Sequence, residues 1–252
     1  MITVHAPAKL TLSLRITGVR ADGYHLIDAE MTTLDLHDVL HIDAVTEPTT
    51  NTLRFTGPFA HGLVDDGKNL VTKALRHVGR SASVVLEKNI PHGGGLGGGS
   101  ADAAAILRWA GGSIDLSAVA TSLGADVPFC AVGGRARVRG IGEIIDPIPT
   151  VPGVVTLVIP PFSVSTPAVY RAWDELGGPT SEGPNDLEPA ALEVEPRLIA
   201  WRDAIAEATG TDPVLAGSGA TWFVVGNHEV ELRASLRGRF GDGAHVIATR
   251  HV

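Results

Sequence analysis

Apolar and polar positions alternate along "ITVHAPAKLTLSLRIT" and "DVLHIDAV", and the β-branched residues among them predict strands. Between the two, "GVRADGYHLIDAEMTTLDL" opens on a D-G turn at Asp22 and Gly23, then returns to a strand pattern around Met31 to Leu36. "NLVTKALRHV" has helical spacing, with Asn69 placed to cap it. "ASVVLEKNIP" is a short strand stopped by Pro91. A helix is expected over "ADAAAILRWA", capped by Ser100 and closed by Gly111 and Gly112. "DLSAVATSL" reads as a second short helix capped by Asp115, and "GGRARVRGIGEIIDPI" as two strands about a glycine turn.

Three prolines and a glycine fall in "DPIPTVPG", residues 146–153, a composition that marks a crossing between domains. Beyond it come a buried strand "VVTLVIPP", a long helix "EPRLIAWRDAIAEATG", a strand "WFVVGN", a helix "EVELRASLRGRF" and a final strand "AHVIATRHV". This order predicts an α+β protein of two domains, 1–149 and 150–252.

Composition narrows the class. The 252 residues are 44% hydrophobic and 19% charged, ordinary for a soluble α+β chain. No apolar run reaches the length of a membrane span, and the first residues enter a strand without a leader. A single cysteine, Cys130, excludes an internal disulfide and a multi-thiolate metal site, and these features together favour the cytoplasm. The net charge of −8 argues against a nucleic-acid binder but not against a small anionic substrate, because a local site can oppose the global sign.

The densest signal is "PHGGGLGGGSADAAA", in which six of the seven residues from Gly93 to Gly99 are glycine. The run satisfies G-x-G-x-x-G through Gly93, Gly95 and Gly98, but a second helix follows where a dinucleotide site needs a strand. It also lacks the lysine of a Walker loop, since Ser100 follows Gly99 directly. What remains is a strand, a glycine turn and a helix N-terminus. Their free N–H groups and helix dipole suit phosphate. Asp102, in the first helical turn, would repel phosphate without a cation between them, which hints at Mg²⁺.

With its neighbours the run becomes specific. "IPHGGGLGGGSADAA" resembles the second motif of the GHMP small-molecule kinases, "LAGSGATWFVV" (215–225) their third, and "PAKLTLSL" their first. "RADGYH", "GADVPF", "GIGEII", "STPAVY" and "NDLE" are similar, in order, to the branch of that superfamily whose acceptor is a cytidyl-diphosphate methylerythritol. The resemblance covers nearly the whole chain. It implies an S5-like N-terminal domain and a ferredoxin-like C-terminal one. It also implies transfer of the ATP γ-phosphoryl group to the 2-hydroxyl of the methylerythritol moiety, with Mg²⁺, in the non-mevalonate isoprenoid pathway. Partners would be small molecules, with no nucleic acid or membrane, acting on a monomer or weak homodimer.

The matching positions carry the implied roles. Asp126 would be the base and Lys9 the lysine that holds it ionised. By spacing alone, Asp126 is a turn aspartate before a proline and Lys9 an edge-protecting charge in a strand. Gly93, Gly94, Gly95, Leu96, Gly97, Gly98, Gly99 and Ser100 would surround the phosphates, with Asn69, Leu70 and Lys88 near the adenine. A surface strand lysine is the other reading of Lys88. Tyr24 and His25 would receive the cytosine, with Tyr170 on its other face and Thr11, Thr166 and Pro167 also at the substrate. The third glycine motif supplies Gly217, Ser218 and Gly219. Ser100 and Asp102 are the Mg²⁺ candidates. Arg135, Arg137 and Arg139 alternate on one strand face and read as solvated.

Two departures stand out. The family usually has asparagine where this chain has Thr11, and a basic residue common after "DVPF" is missing near Val132. The alternatives are a GHMP kinase of homoserine or mevalonate type, against which "RADGYH" argues, and a nucleotide binder without catalysis, which would have lost Lys9 or Asp126.

Overall fold

The computed structural model describes residues 1–45 and 51–252. Its first sheet is built on one long hairpin, β1 (Ile2–Val19) and β2 (His25–Ala44), joined by the Asp22–Gly23 turn. The two strand patterns at 31–36 and 38–45 are therefore a single strand. The free edge of β2 is long enough to take two partners. Residues 39–44 pair with β4 (Ala82–Glu87), and 27–32 with β5 (Arg135–Gly140). β3 (Thr52–Thr56) adds in parallel outside β4, and β6 (Ile144–Ile148) closes the other edge.

α2 (Gly98–Ala110) and α4 (Val127–Val132) pack on this sheet, with α1 (Leu70–His77) against α2 and α3 (Leu116–Ser122) against α4. Asn69 and Asp115 cap α1 and α3 as expected, accepting from the N–H groups of Val71 and Ala118. The expectation for Ser100 is corrected. α2 opens earlier, at Gly98, with Gly97 as its N-cap in the left-handed region (φ 68°) and no side-chain cap bond. Ser100 is thus inside the first turn with its hydroxyl uncommitted to the cap. α2 packs on β1, α1 and α4, and every residue from Ala101 to Leu107 is buried. Helices crowded on several sides need small residues, which accounts for the alanine run.

The second sheet has the order β10-β7-β9-β8 and is wholly antiparallel. Its strands are β7 (Val154–Ile159), β8 (Val214–Leu215), β9 (Trp222–Val225) and β10 (His245–Arg250). α5 (Thr166–Glu175), α6 (Glu188–Val194), α7 (Arg197–Thr209) and α8 (Glu229–Phe240) complete the chain. The two sheets draw their strands from either side of residue 150, and one buried apolar cluster runs through both halves. Arg135, Arg137 and Arg139 pair with Glu30, Asp28 and Asp146; Arg137 and Arg139 face solvent as read, whereas the Arg135–Glu30 pair is part-buried.

Candidate active site

Lys9 and Thr11 stand two residues apart on β1, so they share a face of the strand. Pairing with β2 is irregular on both sides of them, between Pro7 and Lys9 and between Thr11 and Ser13. Bulges of this kind re-aim side chains. Lys9 is buried. Its Nζ donates to Thr11 Oγ1 at 3.1 Å and lies 3.4 Å from Asp126 Oδ2. Asp126 occupies the N-cap position of α4 yet makes no side-chain cap bond, and its side chain is 35% exposed. The carboxylate is therefore free to face the ammonium and the open space beside it.

That space is a cavity of about 590 Å³. Lys9, Thr11, Asp126, Gly95, Ser100 and the Gly217–Ser218 pair share its wall. Tyr24, His25, Thr166, Pro167 and Tyr170 line it too. The chain thus brings twelve of the expected positions to one cavity from widely separated segments. Thr166 and Ser218 join their hydroxyls at 2.7 Å. Burial, with the Asp126 charge second, raises the Tyr170 phenol above its ordinary pKa.

The glycine loop is held closely by the protein around it. Leu96 is buried, and its carbonyl accepts from Lys9 N at 3.0 Å. A Cβ on Gly97 would meet Lys9 Cγ at 2.7 Å, and one on Gly95 would meet the Gly219 carbonyl oxygen at 2.7 Å. Gly94 faces Thr221, Gly93 faces Ser163 and Gly98 faces Ile90. The loop is wedged between the lysine strand and the third glycine motif. A buried Asn185 fixes that motif in turn, its amide donating to the carbonyls of Leu215 and Gly217 at 2.9 and 2.7 Å.

The three positions expected near the adenine are off the cavity wall, as are Asp102, Gly219 and the rest of the first glycine loop (Gly93, Gly94, Leu96, Gly97, Gly98 and Gly99), and the roles of Lys88 and Asp102 are withdrawn. Asn69 spends its side chain on the α1 cap, and Leu70 sits beside Gly99, 3.6 Å from where its Cβ would stand. Lys88 is neither a surface lysine nor open to a nucleotide. Its ammonium is buried between Asp38 and Asp102, 2.7 Å from the Asp102 carboxylate. Asp38 also accepts from the N–H groups of Asn89 and Ile90. Asp102 is accordingly corrected as a Mg²⁺ candidate, since its carboxylate faces this interior pair. Its other oxygen has no partner, and burial pushes its carboxyl up to about 7. Among the described residues no group of three or more histidines, cysteines or acids could hold a metal.

Sequence reasoning missed Asp38, Arg171 and Asp174. Arg171 and Asp174 line the cavity from α5, and Arg171 has no carboxylate within ion-pair distance among the described residues. Asp174 stands four residues after Tyr170, so a helical reading of "TPAVYRAWDE" would have put it on the tyrosine's face.

Two glycine loops meet over a Lys–Asp pair on this pair of sheets, the arrangement that the sequence resemblance implies for a GHMP kinase. The family model for the GHMP kinases N terminal domain matches residues 69–134. A crystal structure of homoserine kinase from Cytophaga hutchinsonii superposes with a TM-score of 0.63 over 98% of this chain and 94% of its own; at 15% identity it shows the fold alone. A crystal structure of 4-(cytidine 5'-diphospho)-2C-methyl-D-erythritol kinase is more similar, with a TM-score of 0.74 and 30% identity over the whole of both chains. The 4-diphosphocytidyl-2-C-methyl-D-erythritol kinase of Paracoccus denitrificans is 42% identical over 86% of this chain and 84% of its own. The chain belongs to the 4-diphosphocytidyl-2-C-methyl-D-erythritol kinase family.

Proposed function

We infer that the chain transfers the γ-phosphoryl group of ATP to the 2-hydroxyl of 4-diphosphocytidyl-2-C-methyl-D-erythritol, in non-mevalonate isoprenoid biosynthesis. The observation that carries this is the single cavity in which the Lys9–Asp126 pair, both glycine loops and the Tyr24–His25–Tyr170 group converge. The family membership supports the same reading.

Phosphoryl transfer to an alcohol requires a group to take the hydroxyl proton, a fixed acceptor and compensation of the phosphate charge. Asp126 takes the proton. Lys9, buried and 3.4 Å away, faces this carboxylate and the negative charge that develops during transfer. Thr11 accepts from the Lys9 ammonium and so keeps it aimed, the part left to a residue that has one hydroxyl in place of an amide. The first turn of α2 and the loop before it offer N–H groups to the phosphates. Mg²⁺ carried by ATP would be met by Ser100, which fits, whereas Asp102 does not; when bound it neutralises phosphate charge. Arg171, on the cavity wall and without an ion pair among the described residues, is a cation available to the substrate's diphosphate where the residue near Val132 is missing. The division into domains 1–149 and 150–252 places the cavity between the two. Small-molecule partners, a cytoplasmic setting and a monomer or weak homodimer fit the acidic chain with its one cysteine. Among the described residues no helix is long and apolar enough to cross a membrane.

The test is ADP release coupled to an NADH readout, with the cytidyl substrate, homoserine and mevalonate offered separately. Turnover with the cytidyl substrate alone is expected. Comparable turnover with homoserine would refute the assignment.

A further inference from the structure

His25 and Asp174 form a pair for which proton removal and phosphate binding have no use. His25 opens β2, its side chain only 10% exposed. The ring lies 4.7 Å from the Tyr170 ring, tilted by 40°, and meets Trp173 edge-on at 5.6 Å. Its Nε2 is 2.8 Å from Asp174 Oδ1. Tyr170 and Asp174 are four apart on α5, so one helix face supplies both the ring that packs on the imidazole and the carboxylate that takes its edge. The other nitrogen, Nδ1, makes no hydrogen bond to the described residues, and the pair lies on the cavity wall.

The chemistry of the pair restricts the imidazole. An ionised carboxylate can only accept, so Nε2 must carry the proton. In a neutral ring Nδ1 is then a bare acceptor, and the partner of one nitrogen dictates the state of the other. Two aromatic neighbours oppose the ring flip that would exchange them. An acceptor at a base-binding wall prefers a base whose facing group is a donor. Cytosine carries an exocyclic amine where uracil carries a carbonyl oxygen.

We propose that Asp174 is a positioning residue for base specificity: it holds His25 as the Nε2–H tautomer, leaving Nδ1 to accept from the cytosine amine and to repel uracil. This rests on the reading that the cavity takes a cytidyl group. It assigns to this chain a discriminating contact made through a residue that does not itself touch the base.

Two measurements on the full chain test it. Imidazole ¹⁵N NMR at alkaline pH, with the His25 signals assigned by their loss in His25→Ala, reports the tautomer directly. The wild type should show Nε2–H, Asp174→Ala a mixture, and Asp174→Glu a return toward Nε2–H. In parallel, kcat/KM for the cytidyl substrate over its uridyl analogue should fall about tenfold or more in Asp174→Ala, in line with the loss of one base-edge contact, and recover in Asp174→Glu. Asp174 is half exposed, so its truncation leaves the fold in place for both readouts. If His25→Ala loses the preference while Asp174→Ala keeps it, His25 reads the base unaided and the proposal falls alone. If neither variant changes the preference, the cytidyl reading of this wall falls, and the proposal with it.

Discussion

Replacing Gly97 by alanine tests whether the glycine loop is shaped by the lysine it encloses. Gly97 holds φ 68°, and a methyl there would sit 2.7 Å from Lys9 Cγ and 3.2 Å from Lys9 Cε. Carbon atoms rest at about 3.5–4.0 Å, so the overlap approaches 1 Å. The left-handed conformation itself costs an alanine about 1–2 kcal/mol. Lys9 cannot retreat with its backbone, because its N–H is bonded to the Leu96 carbonyl at 3.0 Å. Its side chain must move instead, and with it the ammonium 3.4 Å from Asp126. We expect urea unfolding to show a loss of about 1–3 kcal/mol, combining the conformational cost with relief of the overlap. We also expect steady-state kinetics to show kcat reduced about tenfold or more, since a small misplacement of a reacting group has large effects. Gly99→Ala is the matched comparison. It lies within the helix, and its Cβ would meet only Leu70 Cδ1 at 3.6 Å, so stability should rise by about 0.5–1 kcal/mol. A Gly97→Ala enzyme with wild-type kcat would refute the claim that this glycine makes room for Lys9. So would a Gly99→Ala chain as destabilised as Gly97→Ala.

Asp126→Asn should lower kcat by about 10²–10⁴-fold with little change in ATP affinity, and Lys9→Ala comparably. The double variant should fall well short of the product; fully multiplying losses in a double-mutant cycle would show that the pair does not act as one unit. Tyr170→Ala should weaken the cytidyl substrate by about one to two orders of magnitude in calorimetry, with Tyr170→Phe largely restoring it. Equal weakening of ATP would make Tyr170 a packing residue only. The Asp102 carboxyl, raised from 3.8 to about 7 chiefly by burial, binds its proton more tightly folded than unfolded. Its contribution therefore favours the fold at low pH and is lost as pH rises from about 4 to about 7. Asp102→Asn should remove that part of the pH dependence of unfolding; an unchanged profile would show that Asp102 does not titrate in this range.

Local order was legible because its causes are local. The caps at Asn69 and Asp115, the helix stop at Gly111 and the hairpin of β5 and β6 depend on residues within a turn of one another. The family motifs likewise singled out Lys9, Asp126 and Tyr170 by their neighbours in the chain. The length of β2 was not legible, because a strand that takes partners at both halves of one edge is defined by those partners. Nor was the fate of Lys88. Its charge is settled by Asp38 on another strand and Asp102 on α2, and only folding brings three such side chains out of water together. The glycine run shows both sides at one place. Its density announced a close approach to the backbone. That Lys9 and the Gly219 carbonyl make that approach, from the first strand and from the third motif, was decided by the packing of distant segments, because contact distance has no counterpart along the sequence.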